Sequence, residues 1–174
     1  MDHIRVCESH NFKPFDCGDS DLNDFLLNDS INHLSELMAV TYIMENGDDT
    51  LAYWSLLNDK IVSEKFPGRS AKERVLKLLG HKKRGYDDFP AMKIGRLGVN
   101  VKNKGNRLGS EILDYIKILF VTNNRTGCRF ITVDAYRTSM KFYINNGFKE
   151  LDPNDKSGDT TLMYYDLSQI KGLS

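Results

Sequence analysis

The stretch that decides the fold starts with Ile-Gly-Arg-Leu-Gly-Val-Asn-Val at residues 94–101 and continues with Lys-Gly-Asn-Arg-Leu-Gly-Ser at residues 104–110. The first run predicts a strand that ends at Val101. The second predicts a polar, glycine-containing loop that opens a helix extending to about Thr122. The apolar face of this helix repeats at helical spacing and consists of Leu108, Ile112, Tyr115, Ile116 and Leu119.

A strand followed by a short loop and the start of a helix suits an anionic ligand. The first backbone amides of a helix have no partner within the helix and point together, and the helix dipole adds positive potential there. Lys102, Lys104 and Arg107 would add further positive charge. The stretch therefore favours a pyrophosphate site. The alternative is a purely structural loop, because many loops that precede helices contain glycine.

Strand and helix patterns alternate on both sides of this stretch. Asp19-Ser20-Asp21 is typical of a helix N-cap, and Asn46-Gly47-Asp48-Asp49 is typical of a hairpin turn. Further strands are predicted over residues 2–7, 38–45, 50–58 and 129–135, from Phe148 onward and over 160–167, with a short helix over 138–146. This order predicts a mixed α/β fold whose sheet is mostly antiparallel, with one parallel β-α-β crossover.

A basic segment interrupts this order. Residues 65–84 carry eight Lys or Arg and a single acid, Glu73. The pattern indicates a helix over 70–79, which is either a solvated helix or a basic rim for an anionic partner. We expect one domain over residues 1–174, with this basic helical insert at about residues 65–89.

The composition excludes several classes of protein. Lys plus Arg and Asp plus Glu number 24 each, so no global field marks a nucleic-acid or membrane binder. No run approaches the roughly 18 apolar residues of a transmembrane helix, and the N-terminus lacks the apolar stretch of a secretory signal. We therefore expect a cytoplasmic protein without membrane association. The three cysteines and four histidines are scattered, so neither a disulfide framework nor a metal site is expected.

The stretch at residues 94–110 resembles the acetyl-CoA motif of the GNAT superfamily of N-acetyltransferases. That motif is a strand of the form L-x-V, followed by [Q/R]-x-x-G-x-[G/A] at the opening of a helix. Lys104 stands at the Gln/Arg position and Gly109 at the final glycine. Arg107 replaces the middle glycine, where its side chain either crowds the pyrophosphate or pairs with it.

A second match lies at residues 133–148, which resemble the GNAT signature V-x-x-x-N-x-x-A-x-x-F-Y-x-x-x-G-F. Phe142-Tyr143 and Gly147-Phe148 fit this signature. Arg137 and Met140 stand where the family frequently has Asn and Ala. Two motifs at the correct separation are more specific than either motif alone.

The resemblance implies a GNAT fold, in which the sheet splays to leave a cofactor cleft, and acetyl-CoA as the acyl donor. Backbone groups of Leu97 and Val99 would hold the pantetheine arm. The pyrophosphate would lie against the loop and the helix start, formed by Lys104, Gly105, Asn106, Arg107, Leu108, Gly109 and Ser110. A backbone amide near Val99 would polarise the thioester carbonyl.

The resemblance also implies direct transfer of the acetyl group to an amine. Tyr143 would be the general acid that protonates the departing thiolate; the alternative is a core tyrosine whose hydroxyl is hydrogen-bonded. A carboxylate would take the proton of the amine, and both Asp134 and Glu45 remain open for this role. Cys128 has no nearby histidine in the sequence, so a covalent cysteine route is not expected.

The N-terminal half also resembles the acetyltransferase toxins of toxin–antitoxin pairs, which acetylate the amino acid carried on tRNA. The matching residues are Phe15-x-Cys-Gly-x-x-x-Leu22-x-x-Phe25-Leu26, Thr41-Tyr42 and Ala52-Tyr53-Trp54-Ser55-Leu56. The balanced charge and the missing glycine argue against a toxin. Our main expectation is therefore an N-acetyltransferase with a small-molecule, peptide or aminoacyl amine as acceptor.

Two alternatives stay open. One is a toxin that acts on aminoacyl-tRNA and is paired with an antitoxin. The other is a catalytically weak GNAT fold that serves as a binding module. The resemblance also makes a homodimer an expectation in each case.

Overall fold

The computed structural model describes residues 3–66, 68–78, 88–122 and 126–171. The chain forms two compact units, one made of residues 1–58 and 94–118 and the other of residues 59–93 and 119–174. The expectation of a single domain over residues 1–174 stays a prediction.

In the part of the chain that the structure describes, seven strands form the sheet. They are β1 (His3–Arg5), β2 (Val40–Glu45), β3 (Thr50–Val62), β4 (Asp88–Val99), β5 (Phe130–Tyr136), β6 (Lys149–Glu150) and β7 (Thr160–Asp166), in the order β1-β2-β3-β4-β5-β7-β6. The pairs β1–β2, β2–β3, β5–β7 and β6–β7 are antiparallel, whereas β4 and β5 are parallel. The predicted mixed α/β class, with one parallel crossover, is confirmed.

The α-helices are α1 (Ser20–Asp24), α2 (Ser30–Ser35), α3 (Arg69–Leu78), α4 (Leu108–Thr122), α5 (Met140–Asn145) and α6 (Ser168–Lys171). A π-helical turn, Phe25–Asp29, joins α1 to α2. The spacing of the apolar residues explains this turn, because Leu26 and Ile31 are five residues apart rather than three or four. The wider turn keeps both residues facing the core, and Leu26 is fully buried.

In the first unit, a helix cap and a hairpin turn form at the places that the sequence predicts. Asp19 caps α1, because its carboxylate accepts hydrogen bonds from the amides of Asp21 at 3.0 Å and Leu22 at 3.1 Å. The Asn46 side chain closes the β2–β3 hairpin in the same way. The core of this unit is the buried cluster Val6, Phe15, Cys17, Phe25, Leu26, Ile43 and Tyr53.

The second unit contains the parallel pair. Its register runs from Ala91 opposite Phe130 to Lys93 opposite Thr132. The splay of the sheet beyond this pairing stays a prediction. The core of this unit is the buried cluster Ile61, Phe66, Phe89, Ala91, Phe130 and Leu151. The second unit also contains an ion pair, in which Arg129 Nε lies 2.8 Å from Asp166 Oδ1.

Among the residues that the structure describes, no helix is long and apolar enough to cross a bilayer. The predicted basic helix over 70–79 is present as α3, except that residues 79–87 lie outside the described part of the chain.

Candidate functional site

The loop after β4 is anchored by one asparagine. Asn100 Oδ1 accepts the amide of Lys102 at 3.1 Å, and Asn100 Nδ2 donates to the carbonyl of Thr50 at 3.0 Å. The side chain is 3% exposed, so these bonds lie in the protein interior. They end β4 at Val99, two residues before the sequence-predicted end, and start a 3₁₀ turn over Val101–Asn103.

Two residues with left-handed backbone shape the rest of the loop. Gly105 has a φ of +88°, and Arg107 has a φ of +61°. The left-handed region disfavours residues with a Cβ by about 1–2 kcal/mol, and glycine adopts it freely. Arg107 therefore keeps the backbone conformation that suits the glycine whose motif position it occupies.

Arg107 also starts the helix. Its carbonyl accepts the amides of Ser110 at 2.9 Å and Glu111 at 3.1 Å. The amides of Leu108 and Gly109 precede these two and have no carbonyl within the helix to bind, as is general for the first helical residues. They and the positive end of the α4 dipole can meet an anion.

The charges around this helix start differ in their surroundings. Lys104 and Arg107 are exposed. Lys102 is already used, since its Nζ lies 2.9 Å from Asp49 Oδ2. Of the three cations that the sequence analysis placed here, Lys104 and Arg107 are thus the better candidates for contact with phosphate.

The predicted cofactor residues all belong to the first unit. Leu97 and Val99 are half-buried at the end of β4, and the loop and the first turn of α4 carry the rest of the set: Lys104, Gly105, Asn106, Arg107, Leu108, Gly109 and Ser110. The fold brings these residues into one continuous strand–loop–helix segment. Tyr143 belongs to the second unit.

A segment that the sequence analysis assigned no role packs against this loop. Gly18 has a φ of +78°, and a Cβ at this residue would meet Val101 Cγ1 at 3.4 Å and Lys104 Nζ at 3.6 Å. Hydrogen bonds from Asn23 and Gly18 lower the pKa of Asp16, and the positive charge of Lys104 also lowers it. The Phe-x-Cys-Gly signal at residues 15–18 marked this place, but nothing in the sequence linked it to the loop.

Tyr143 lies on α5 and is 7% exposed. Its ring meets those of Phe142 and Phe148 edge-on, with centroids 5.0 and 5.4 Å away. Burial raises the pKa of Tyr143 to about 12. The phenol therefore keeps its proton at neutral pH, as a general acid requires, while its packing also fits the alternative of a core tyrosine.

Both candidate bases are engaged with cations. The Glu45 side chain is 7% exposed and lies 3.2 Å from Lys13 Nζ and 3.4 Å from His10 Nε2. Asp134 is half-exposed and forms an ion pair with Lys93. Each carboxylate thus already has a partner, so the geometry favours neither over the other.

The cysteines divide into two kinds. Burial raises the pKa of Cys17 and raises that of Cys128 to about 11, so both are protonated thiols at neutral pH. Cys7 is exposed, and hydrogen bonds with Ser9 lower the pKa of its thiol. Within the described ranges, no group of three or more His, Cys, Asp or Glu side chains has the geometry to hold a metal ion.

These features define a mixed α/β fold in which the strand–loop–helix is a candidate site for an anion. No family model matches the chain. Among solved structures, it is similar to a tyrosine-to-phenylalanine mutant of KacT, with a TM-score of 0.80 and 19% identity over 99% of this chain and 98% of that chain.

Two further similar structures are of AtaT. One is AtaT complexed with acetyl-methionyl-tRNAfMet, with a TM-score of 0.79 and 17% identity over 99% of this chain and 98% of that chain. The other is a tyrosine-to-phenylalanine mutant of the AtaT toxin, bound to the C-terminus of the antitoxin AtaR and acetyl-CoA. It has a TM-score of 0.74 and 16% identity over 99% of this chain and 96% of that chain. The chain thus shares the fold of these proteins over nearly its whole length.

Proposed function

We propose that the protein is an N-acetyltransferase that transfers the acetyl group of acetyl-CoA directly to an amine. The observation that carries this proposal is the loop before α4, where Arg107 keeps the left-handed backbone of a motif glycine. This conformation strains a residue with a Cβ by about 1 kcal/mol, and strain of this kind clusters at ligand-binding and active sites. The fold shared with AtaT, which has been solved with acetyl-CoA, supports the same donor.

In this proposal, the donor lies along the strand–loop–helix. Backbone groups of Leu97 and Val99 bind the pantetheine arm, and the amides of Gly105–Ser110 bind the pyrophosphate. Lys104 and Arg107 add charge-assisted contacts to phosphate. The guanidinium of Arg107 thereby compensates for the absent glycine.

The chemical step is a direct displacement. The acceptor nitrogen attacks the thioester carbon, the carbon–sulfur bond breaks, and the departing thiolate takes the phenolic proton of Tyr143. A base or water takes the proton of the amine. A tyrosine with a pKa of about 12 is fully protonated before the step and is reprotonated from solvent after it. For both AtaT and KacT, the structure of a mutant with one tyrosine replaced by phenylalanine has been solved, and this is the change that would test such an acid.

For the acceptor, we favour the amine of an aminoacyl-tRNA over a free small amine or a peptide. Among the proteins that share the fold, AtaT has been solved with acetyl-methionyl-tRNAfMet. This favours the toxin alternative over the more general expectation that the sequence analysis preferred. Basic residues of α3, such as Arg69, would contact the tRNA backbone, and a toxin of this kind would be paired with an antitoxin.

The first experiment is isothermal titration of the purified chain with acetyl-CoA. The proposal predicts one site per chain. If binding is seen, radiolabelled acetyl-CoA is incubated with methionyl-tRNA, with uncharged tRNA and with a free polyamine. Label on the charged tRNA alone supports the aminoacyl acceptor, whereas label on the polyamine alone supports the general N-acetyltransferase.

A binding module without catalysis is the second candidate, because Arg107, Arg137 and Met140 all depart from the GNAT motifs. Two results would favour it over the enzyme. One is acetyl-CoA binding without transfer to any of these acceptors. The other is no binding at millimolar acetyl-CoA.

A further inference from the structure

Arg137 is the motif departure that the proposed function does not use. It stands where GNAT proteins frequently have Asn, directly after β5. Each nitrogen of its guanidinium donates one hydrogen bond: Nε to the carbonyl of Gly158 at 3.1 Å, Nη1 to Thr161 Oγ1 at 3.3 Å, and Nη2 to the carbonyl of Ser157 at 3.4 Å. The backbone amide of Arg137 adds a fourth bond, to the carbonyl of Asp159 at 3.1 Å.

These bonds join two parts of the second unit. Arg137 opens the 3₁₀ turn Arg137–Ser139, and its carbonyl accepts the amide of Met140, the first residue of α5. Its partners lie in the loop between β6 and β7 and at the start of β7. The start of α5 is thereby fixed to the β7 end of the sheet.

The helix needs such an anchor. It has six residues, and its N-cap residue, Ser139, makes no side-chain capping bond. Isolated helices shorter than about 12 residues are marginal in water. Its other end is held separately, because Asn146 Nδ2 donates to the carbonyl of Phe142 at 2.8 Å and the amide of Phe148 to the carbonyl of Tyr143 at 3.0 Å.

We propose that Arg137 is a positioning residue that fixes the start of α5 and thereby the orientation of Tyr143. The role of Tyr143 in this statement rests on the proposed function, whereas the anchoring of α5 does not. An asparagine is too short to span from β5 to Ser157, Gly158 and Thr161 together. The arginine therefore replaces the frequent residue with a longer tie to the β6–β7 loop.

The test is hydrogen–deuterium exchange on the full chain, comparing Arg137→Ala with Lys141→Ala. Lys141 is an exposed cation on α5, so its loss changes the net charge equally. We expect amides of residues 140–145 and 157–161 to exchange at least about tenfold faster in Arg137→Ala, because charge-assisted hydrogen bonds are lost. Equal exchange in the two variants would overturn the proposal.

Two milder variants keep the proposal testable if Arg137→Ala does not fold. Thr161→Val removes one acceptor of the guanidinium and should raise exchange at α5 in the same direction, by less. Arg137→Lys retains the charge with a single donor group and should recover part of the protection. If Arg137→Lys exchanges as fast as Arg137→Ala and Thr161→Val matches the parent chain, the guanidinium bonds of Arg137 do not anchor α5.

Activity separates this proposal from the proposed function. In Arg137→Ala we expect kcat to fall about ten- to a hundredfold, since small misplacements of a reacting group cost this much, while the Kd for acetyl-CoA stays within about twofold. An unchanged kcat with faster exchange would show that Arg137 anchors α5 without positioning Tyr143, and would overturn the second half of the inference. A parent chain that transfers no acetyl group contradicts the proposed function, and the exchange result still decides the anchor.

Discussion

The backbone carbonyl of Asp16 accepts a hydrogen bond from the amide of Val101 at 2.8 Å. Val101 opens the loop that carries the candidate anion site, and Asp16 precedes α1, far away in the sequence. Between Asp16 and α1 lies Gly18, which has a left-handed backbone and lies next to Val101 and Lys104. The part of the chain that resembles the toxins at residues 15–18 thus supports the part that resembles the acetyl-CoA motif.

Replacing Gly18 with alanine tests this support. The new Cβ would be held in a strained left-handed backbone, in ordinary contact with Val101 and Lys104. We expect acetyl-CoA affinity to fall about three- to tenfold, because about 1 kcal/mol of strain would be relieved by moving the loop. Titration calorimetry measures the acetyl-CoA affinity of the variant and of the parent chain.

Two glycines serve as controls for Gly18→Ala. Gly47 has open space around it and should tolerate alanine without effect on binding. Gly68 also has open space but a φ of +89°, so Gly68→Ala adds strain away from the loop. If Gly68→Ala weakens acetyl-CoA binding as much as Gly18→Ala, general destabilisation explains the loss and the support role is wrong.

The side chain and backbone of Arg107 can be separated by two substitutions. Both Arg107→Gly and Arg107→Ala remove the guanidinium, but only alanine keeps a Cβ at a φ of +61°. We expect Arg107→Gly to be more stable than Arg107→Ala by about 1 kcal/mol in urea unfolding. If the guanidinium binds phosphate, both variants should bind acetyl-CoA several-fold more weakly and with a shallower salt dependence. Tighter binding by Arg107→Gly than by the parent chain would instead show that the side chain crowds the ligand.

The role of Tyr143 is tested by Tyr143→Phe. Loss of a general acid lowers a rate by about 10²–10⁴-fold, whereas a ring in the core tolerates loss of its hydroxyl. We expect kcat to fall within this range, with acetyl-CoA binding and the circular dichroism spectrum unchanged. In the parent chain, kcat should rise with pH as the acceptor amine loses its proton, without a decline up to about pH 10, because the phenol has a pKa of about 12. A rate within about twofold of the parent would contradict the general-acid role and would favour a core tyrosine.

The burial of Tyr143 also predicts that the folded protein becomes less stable at alkaline pH. The phenol of Tyr143 loses its proton near pH 10 in the unfolded chain and near pH 12 in the folded one, so the unfolded state binds fewer protons in between. This contribution to stability is complete below about pH 10 and is lost between about pH 10 and 12. Cys128 acts in the same direction at somewhat lower pH. We expect the free energy of unfolding in urea to fall by about 2–3 kcal/mol over this window on account of Tyr143, and to fall less in Tyr143→Phe. Equal slopes in both proteins would show that this phenol is not buried in solution.

Local signals in the sequence were enough to predict most of the elements. The Asp19 cap, the Asn46 turn and the apolar face of α4 depend on neighbouring residues, and each has the predicted place. The structure differs where no clear local pattern was recognised in the sequence. β3 runs on to Val62, well past residue 58, where the predicted strand ended, and Ser168–Lys171 forms a helix that had no pattern of its own but begins with a cap from Asp166.

The candidate site shows the same division. The strand–loop–helix at residues 94–110 is local, so its motif was enough to predict this arrangement of elements. The support from Gly18 and the anchor through Arg137 join parts of the chain that are distant in sequence, and no local pattern reports such contacts. Both are made by residues that the sequence analysis had noted for other reasons: one as part of a toxin-like motif, the other as a departure from the GNAT signature.

Gly98 connects the motif strand to the core. A Cβ at this residue would lie 2.7 Å from Tyr53 Cε1 and 3.1 Å from Phe15 Cζ. Neither ring can yield easily, since Tyr53 is fully buried with its hydroxyl donating to the carbonyl of Leu22 at 2.7 Å, and Phe15 is 8% exposed. We expect Gly98→Ala to destabilise the protein by about 1–3 kcal/mol through overpacking. Gly98→Ala combined with Phe15→Leu should remain destabilised, because the closer contact is with Tyr53. Full recovery in the double variant would show that Phe15, rather than Tyr53, sets the space between Leu97 and Val99, the two residues proposed to bind the pantetheine arm.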